Sequence, residues 1–234
     1  MSEPTIYLVV GPPRSGTSAL AMILREQGIP MYFGADAPDL DSPSGNHEDN
    51  LVRLLNNELM GVNGLGARRD WDNPHYVPTA DARQLRLLRA YVAARGRHAG
   101  GGAWGVKDPR LCFLIEPWHR ATEGRAVRWI HIRREDREAS IRSLVRMLPP
   151  RLRATGDPDA VYRLAATWLE SFQLAGELGF RAAGIDPHRT TYEALLRGDG
   201  REELARRHRF GRPITCVEPA LNRQGRPRPP VGAR

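Results

Sequence analysis

A turn with two glycines near the start of the chain has the residue types and spacing of a binding site for an anionic group. Residues 6–10 are an unbroken apolar run, which is typical of a strand buried on both faces. Gly11 and Gly16 follow with four residues between them, and residues 19–24 begin a helix at once. Such a turn aims backbone N–H groups and the positive end of the helix dipole at one point. The segment therefore predicts a cradle for a phosphate-like group.

The cation within this turn differs from the one expected in a nucleotide-hydrolysing loop. The glycine spacing is Walker-like, G-x-x-x-x-G, but Thr17 stands where a lysine normally follows the second glycine. Arg14 is the only cation inside the turn. We therefore expect the turn to hold a phosphate-like group, and ordinary ATP or GTP hydrolysis is disfavoured. The alternative is a plain strand-to-helix turn with two incidental glycines, which the coincidence of glycines, hydroxyls and a cation argues against.

The chain contains a single lysine, Lys107, among 35 basic residues. Its ammonium group is a compact point charge, which a guanidinium fork does not reproduce. Lys107 follows the short apolar segment 103–106, so it is predicted at the carboxyl end of a strand, where ligand groups gather in parallel sheets. This position favours a chemical role over the alternative that one lysine persists by chance.

Two more cations, Arg133 and Arg134, follow the predicted strand 126–132. Together with Arg14 and Lys107 they predict four positive charges at one edge of a parallel sheet. A magnesium ion would need a carboxylate at such a strand end. Asp108 is the one carboxylate that directly follows an apolar strand. The pattern therefore favours group transfer stabilised by fixed cations, with no metal expected.

Composition limits the class of protein. With 234 residues and 41% hydrophobic content, the chain suffices for one α/β domain, which we predict over residues 1–221. Residues 222–234 are rich in Arg, Gly and Pro, and we expect a disordered basic tail. No apolar run is long enough to span a membrane and no signal peptide is evident, so a cytoplasmic location is expected. Cys112 and Cys216 are expected to be reduced core residues.

The chain carries a net charge of +8, which by itself permits a nucleic-acid partner. The positive charges are spread along the chain, and they are not interleaved with aromatic residues. A small polyanionic ligand accounts for the charge equally well, and no nucleic acid is expected.

The predicted elements alternate between strands and helices. Besides the elements already named, we expect helices after residue 50, over 80–97, 111–119, from 137, over 157–183 and 200–208, with a last strand at 189–192. In the helix after residue 50, the apolar residues Leu51, Leu54, Leu55, Leu59 and Met60 are expected on one face. Strands separated by helices predict a central parallel sheet of about four to five strands flanked by helices, a three-layer sandwich like that of P-loop NTPases.

The turn also resembles a known family. Gly11-Pro-Pro-Arg-Ser-Gly-Thr-Ser18 resembles the 5′-phosphosulfate loop of sulfotransferases that use 3′-phosphoadenosine 5′-phosphosulfate (PAPS). The segments 104–111, 191–193 and 214–223 resemble further motifs of that family, in the same order. The resemblance implies a donor site that includes Gly11, Pro13, Arg14, Ser15, Gly16, Thr17 and Ser18. It also implies a 3′-phosphate site at Arg133 with Ser140 or Ser143, and an adenine contact at Tyr192.

The resemblance leaves the catalytic base to be found in another segment. Animal cytosolic members have a histidine after the lysine, and this chain has Lys107-Asp108-Pro109 instead. By resemblance to a Gly-x-x-Glu-Asp pattern, Glu48 is the predicted base, with Arg14 and Lys107 as catalytic cations. His47 is an alternative base, and an acid that offsets the helix dipole is the alternative role of Glu48.

The implied activity is transfer of a sulfuryl group from PAPS to a hydroxyl, or less favourably an amine, of an unidentified acceptor. The acceptor could be a sugar, lipid, other small molecule or peptide, and the oligomeric state is open. Two other functions fit parts of the pattern: a P-loop small-molecule kinase that uses ATP and Mg²⁺, and a non-catalytic binder of nucleotides or nucleic acid.

Overall fold

The core of the structure is a four-stranded parallel sheet in the order β2-β1-β3-β4. The computed structural model describes residues 4–33, 48–61, 79–148 and 157–215. The strands are β1 (Ile6–Val10), β2 (Trp104–Lys107), β3 (Val127–Arg133) and β4 (His188–Thr191). In the register of the sheet, Val9 lies opposite Lys107 on one side and Ile130 on the other. All four strands therefore end at the same edge, which we call the carboxyl edge.

Helices cover both faces of the sheet. They are α1 (Thr17–Glu26), α2 (Asn50–Leu59), α3 (Ala82–His98), α4 (Ile115–Ala121), α5 (Arg137–Met147), α6 (Pro158–Ala182), α7 (Tyr192–Arg197) and α8 (Asp199–His208). Alternate residues of β1 point to opposite faces. Leu8 and Val10 join a core with residues of α3, α4 and α6, whereas Tyr7 and Val9 join a core with residues of α1, α7 and α8. This arrangement of three layers confirms the predicted α/β fold with a central parallel sheet.

Four of the described helices have an aspartate directly before their first residue. The side chains of Asp49, Asp81, Asp136 and Asp157 accept backbone N–H groups at the starts of α2, α3, α5 and α6. An aspartate at this position satisfies N–H groups that the helix itself leaves without an acceptor. The starts of these helices were therefore predictable from short-range sequence.

The leucine face of α2 is buried only in part. Leu51 is 46% exposed and Leu54 is 60% exposed, whereas Val52, Asn56 and Leu59 are buried. The buried side includes Asn56 because this amide bonds to two other buried side chains beneath the helix. Leucine spacing alone did not reveal this polar contact.

The predicted helix over 111–119 is replaced by two shorter pieces. Pro109–Cys112 forms a 3₁₀ turn, and α4 starts at Ile115. Asp108 caps the 3₁₀ turn by accepting the N–H of Arg110, so the chain bends directly after β2. Cys112 is buried in the core, as expected, and burial raises the pKa of its thiol.

Some predictions concern other parts of the chain. His47, Cys216 and the basic tail at 222–234 lie outside the described residues. The extent of the domain, residues 1–221, stays a prediction. Among the described helices, none combines the length and apolar character that a membrane span requires.

Candidate functional site at the carboxyl edge

The glycine turn (residues 11–16) depends on the absence of side chains at both of its ends. A Cβ on Gly11 would lie 2.3 Å from the backbone oxygen of Ile132 in β3. Gly16 has a φ of 95°, and a Cβ there would lie 2.6 Å from Cδ2 of Tyr192. The turn therefore packs directly against the ends of β3 and β4, and its two glycines have separate steric reasons.

The start of α1 is open to an anion. Gly16 precedes the helix, no side chain from the described part of the chain caps its first N–H groups, and its first turn contains no acidic residue. Those groups and the helix dipole favour a negatively charged ligand. Thr17 is buried and Ser18 is half-buried at this end of the helix, whereas Pro13 is buried within the turn.

Ser15 is used to hold the turn itself. Its hydroxyl donates to the carbonyl oxygen of Pro12 at 2.6 Å and lies 3.3 Å from that of Ile132. Its backbone N–H also bonds to the Pro12 oxygen, at 3.3 Å. The side chain is fully buried, so its contribution is to fix the turn against β3.

Arg14 connects the turn with α5. Its backbone is in the left-handed region, with a φ of 66°, which is unusual for a residue with a side chain. Its Nε donates to Oγ of Ser143 at 2.7 Å. Partial burial and the positive charges of Arg146 and Arg134 lower the pKa of the Arg14 guanidinium. A strained residue within a group of like charges is typical of a functional position.

The two serines on α5 have different surroundings. Ser143 accepts the bond from Arg14, whereas Ser140, one turn earlier, is 1% exposed and its Oγ has no hydrogen-bond partner among the described residues. The side chains of both serines are buried. A buried hydroxyl without a partner is energetically costly.

Lys107 and Glu48 are in direct contact. Nζ of Lys107 donates to Oε1 of Glu48 at 2.7 Å, and the two side chains are only 4% and 12% exposed. Nε of Arg53 lies 3.7 Å from the other Glu48 oxygen. Because Lys107 ends β2 and Glu48 precedes the cap of α2, the structure brings two predicted catalytic residues together at the carboxyl edge.

A buried polar network supports the end of β2 beneath this pair. The carboxylate of Asp108 is fully buried and accepts Nη1 of Arg110 at 2.9 and 3.0 Å. Asn56 donates to Asp108 at 3.1 Å and accepts Nε1 of Trp118 at 2.9 Å. Asp108 and Arg110 therefore form a direct ion pair at the end of β2. Asn56 was missed, and the signal in the sequence was an asparagine among leucines within an amphipathic helix.

The ends of β3 and β4 add charged and aromatic groups. The guanidinium of Arg134 lies 5.0 Å from the centre of the Tyr192 ring, and its Nε lies 3.4 Å from Glu193. Glu193 also accepts the backbone N–H of Glu135 at 2.8 Å. The tyrosine ring is thereby held between Arg134 and Gly16, beside the glycine turn.

Arg133 ends β3 opposite Thr191 and is exposed. It has no ion-pair partner among the described residues. Its positive charge contributes to lowering the pKa of His131, although burial of that histidine is the main cause. Its predicted contact with a phosphate stays a prediction.

The described residues contain no group of three or more His, Cys, Asp or Glu side chains arranged to hold a metal ion. Asp108, the carboxylate that the sequence offered for magnesium, is committed to Arg110 and Asn56.

Comparisons with known proteins add information on the fold. No family model matches the chain. A segment is 32% identical over 82 residues to 5-deoxyribose 1-phosphate isomerase of Petrotoga mobilis, which amounts to 35% of this chain and 23% of the isomerase. Because the match spans about a quarter of that protein, it assigns no family or activity to this chain.

Two solved structures match most of the length of this chain. The sulfotransferase domain of the olefin synthase from Synechococcus PCC 7002 superimposes with a TM-score of 0.51 and 20% identity, covering 90% of this chain and 74% of that one. Sulfotransferase STF9 from Mycobacterium avium gives a TM-score of 0.49 and 17% identity, over 95% of this chain and 67% of the other. The first of these likenesses shows that the chain has a sulfotransferase-like α/β fold.

Proposed function

We propose that this protein is a sulfotransferase that transfers a sulfuryl group from PAPS to a hydroxyl of an unidentified acceptor. The observation that carries the proposal is the contact of Lys107 with Glu48 at the carboxyl edge that also contains the glycine turn. A cation for the leaving oxygen and a base for the acceptor are the two groups that this reaction needs. The sulfotransferase-like fold supports the same conclusion.

The donor would lie along the carboxyl edge. The 5′ group of PAPS would meet the open N–H groups at the start of α1, beside Thr17 and Ser18. The Tyr192 ring, fixed against Gly16 and Arg134, offers a flat surface near the nucleoside. Arg14 and Ser143 would contact an anionic group on the side of α5.

In the reaction, the acceptor oxygen would form a bond to sulfur while the bond from sulfur to the bridging phosphate oxygen breaks. By analogy with phosphoryl transfer, the transition state is loose and in line, so negative charge builds up on the leaving oxygen. Lys107 and the N–H groups of the turn would stabilise that charge without reorganisation, because they are fixed by the fold. The products are adenosine 3′,5′-bisphosphate and the sulfated acceptor.

Glu48 would accept the proton of the acceptor hydroxyl. Its carboxylate is largely shielded from solvent and is held by Lys107 and Arg53, so its position is defined before the acceptor binds. A base has to lie within hydrogen-bond reach of the proton that it removes. The acceptor hydroxyl is therefore expected beside α2, on the side of the site formed by Glu48.

Ligand binding tests the donor. Adenosine 3′,5′-bisphosphate is expected to raise the melting temperature of the protein, measured by differential scanning fluorimetry. ATP with Mg²⁺ is expected to give a smaller change. ³⁵S-labelled PAPS offered with a phenol, a monosaccharide, a sterol alcohol and a tyrosine peptide should label at least one acceptor. Stabilisation by ATP–Mg²⁺ without any by the bisphosphate would point to a kinase and overturn the proposal.

Glu48→Gln is expected to lower the rate of sulfuryl transfer roughly 100-fold, because the amide cannot accept the acceptor proton. Affinity for adenosine 3′,5′-bisphosphate, measured by calorimetry, should be unchanged or slightly higher, since Lys107 loses its competing carboxylate. Glu58→Gln is the matched control: it changes an exposed carboxylate within α2, the helix that begins just after Glu48, and Glu58 pairs with Arg83 at 2.7 Å. Equal transfer rates for wild type and Glu48→Gln would exclude this residue as the base.

A further inference from the structure

The buried carboxylate of Asp49 does more than cap α2. Its Oδ1 accepts the backbone N–H of Leu51 at 2.9 Å, which is the capping bond. Its Oδ2 accepts the backbone N–H of Phe33 at 2.7 Å and the hydroxyl of Tyr91 at 3.0 Å. A helix cap uses only one of the two oxygens. The other oxygen therefore joins the start of α2 to the segment after α1 and to α3.

The hydroxyl of Tyr91 is held in place by the packing of its ring. The residue is 5% exposed, and its ring meets those of Trp104 and Trp118 edge-on, with centroids 6.2 and 6.1 Å away. Burial is the main cause that raises the pKa of Tyr91, and the negative charge of Asp49 adds to it. The hydroxyl therefore keeps its proton and donates to the carboxylate from a fixed point.

A second residue of α3 secures the same region. Arg95 lies one turn after Tyr91, is fully buried, and packs its guanidinium 5.4 Å from the centre of the Trp104 ring. Its Nη2 donates to the carbonyl oxygen of Pro30 at 3.1 Å. The segment from Pro30 to Phe33 is therefore bonded to α3 through Arg95 and to the start of α2 through the Asp49 carboxylate, so the three segments form one rigid support.

This support carries Glu48. Glu48 directly precedes Asp49, so the bonds on the Asp49 side chain fix the backbone from which the Glu48 side chain extends. At its other end, the Glu48 carboxylate accepts Nζ of Lys107 at 2.7 Å. Because a base has to lie within hydrogen-bond reach of its proton, small displacements of this backbone would reduce the rate.

We propose that Tyr91 is a positioning residue for sulfuryl transfer, which holds the base Glu48 in place through its hydrogen bond to Asp49. This inference rests on the proposed function and adds to it, because no residue of α3 was among the predicted site residues. Tyr91 would contact neither substrate, and its whole effect would pass through Asp49.

Tyr91→Phe removes the hydroxyl and keeps the ring that packs on the two tryptophans. We expect kcat for transfer of ³⁵S from labelled PAPS to fall about tenfold, because the base is less often within reach of the acceptor proton. The KM for PAPS and the affinity for adenosine 3′,5′-bisphosphate should stay within about twofold, since the donor is bound by other elements. Tyr162→Phe is the matched control: its hydroxyl likewise donates to a carboxylate, that of Glu138, and its loss should leave kcat unchanged.

A double-mutant cycle separates positioning from general support of the fold. Both roles predict a lower melting temperature for Tyr91→Phe, because a buried hydrogen bond to a charged group is lost. Only the positioning role predicts that Tyr91→Phe has no further effect on kcat in the Glu48→Gln background, where no base remains to be placed. Asp49→Ser should reproduce the loss of kcat, because serine still caps α2 but lacks the carboxylate oxygen that Tyr91 bonds.

The outcomes distinguish this inference from the proposed function. A wild-type kcat in Tyr91→Phe, or an equal loss in the wild-type and Glu48→Gln backgrounds, would overturn the role of Tyr91 and leave the sulfotransferase proposal in place. If Glu48→Gln transfers label at the wild-type rate, or if the wild-type protein labels no acceptor, the base or the activity itself is wrong, and the inference fails with it.

Discussion

Replacing Lys107 with methionine is expected to lower the rate of sulfuryl transfer by roughly 100- to 1,000-fold. The size follows from the loss of one fixed charge that stabilises the leaving oxygen in a site shielded from water. Lys107 is well placed for that effect because its side chain is 4% exposed and is held by Glu48. Methionine keeps a similar length and apolar stem, so the change removes the ammonium group with little change in volume.

A second variant tests whether position or charge alone matters. Lys107→Arg keeps the positive charge but replaces a compact ammonium with a planar fork, and we expect it to recover only part of the rate. The measurement is transfer of ³⁵S from labelled PAPS to an acceptor that the labelling experiment under Proposed function detects. Circular dichroism and the melting temperature of each variant show that the fold is retained. A Lys107→Met variant with nearly wild-type turnover would remove this residue from the mechanism.

Gly11→Ala is expected to lower the free energy of unfolding by roughly 3 kcal/mol or more. The added Cβ would lie 2.3 Å from the backbone oxygen of Ile132, and a backbone atom of a central strand has little freedom to move away. The clash would separate β1 from β3 at the carboxyl edge, where the glycine turn packs. Urea denaturation of the purified variant gives the free energy directly.

Gly96→Ala is the matched control for the alanine substitution. Gly96 is in α3, and a Cβ there would meet only Cγ of Pro4, at the ordinary contact distance of 3.7 Å. Helix propensity then favours alanine by about 0.5–1 kcal/mol. A Gly11→Ala protein as stable as wild type would show that the turn does not pack on β3 as described, and would weaken every conclusion drawn from its geometry.

The local elements were accessible from sequence because their signals are short in range. The apolar run of β1, the two glycines and the start of α1 occupy adjacent positions, and the structure has them within a residue or two of the prediction. The aspartates that cap α5 and α6 are likewise signals that lie directly beside the helix starts they mark. Lys107 stood out because of its rarity, which needs no structure to observe.

The faces of α2 and α5 were less accessible, because burial depends on which surface each helix meets. Leucine spacing favoured Leu51 and Leu54, yet the structure buries Asn56, which bonds to Asp108. Ser140 could equally have faced solvent on the basis of spacing, and it is buried. A hydrophobic pattern counts only apolar positions, so it does not reveal polar residues on a buried face.

The glycine turn, the alternation of strands and helices, and the types of group available for anion binding could all be predicted from the order of the residues. Which of these groups come into contact depends on the packing of distant segments. Lys107 and Glu48 are 59 positions apart, and Arg14 and Ser143 are 129 apart. Their contacts depend on the strand order β2-β1-β3-β4 and on where α2 and α5 pack. Contacts between distant segments arise from the burial of a shared core, so no local spacing encodes them.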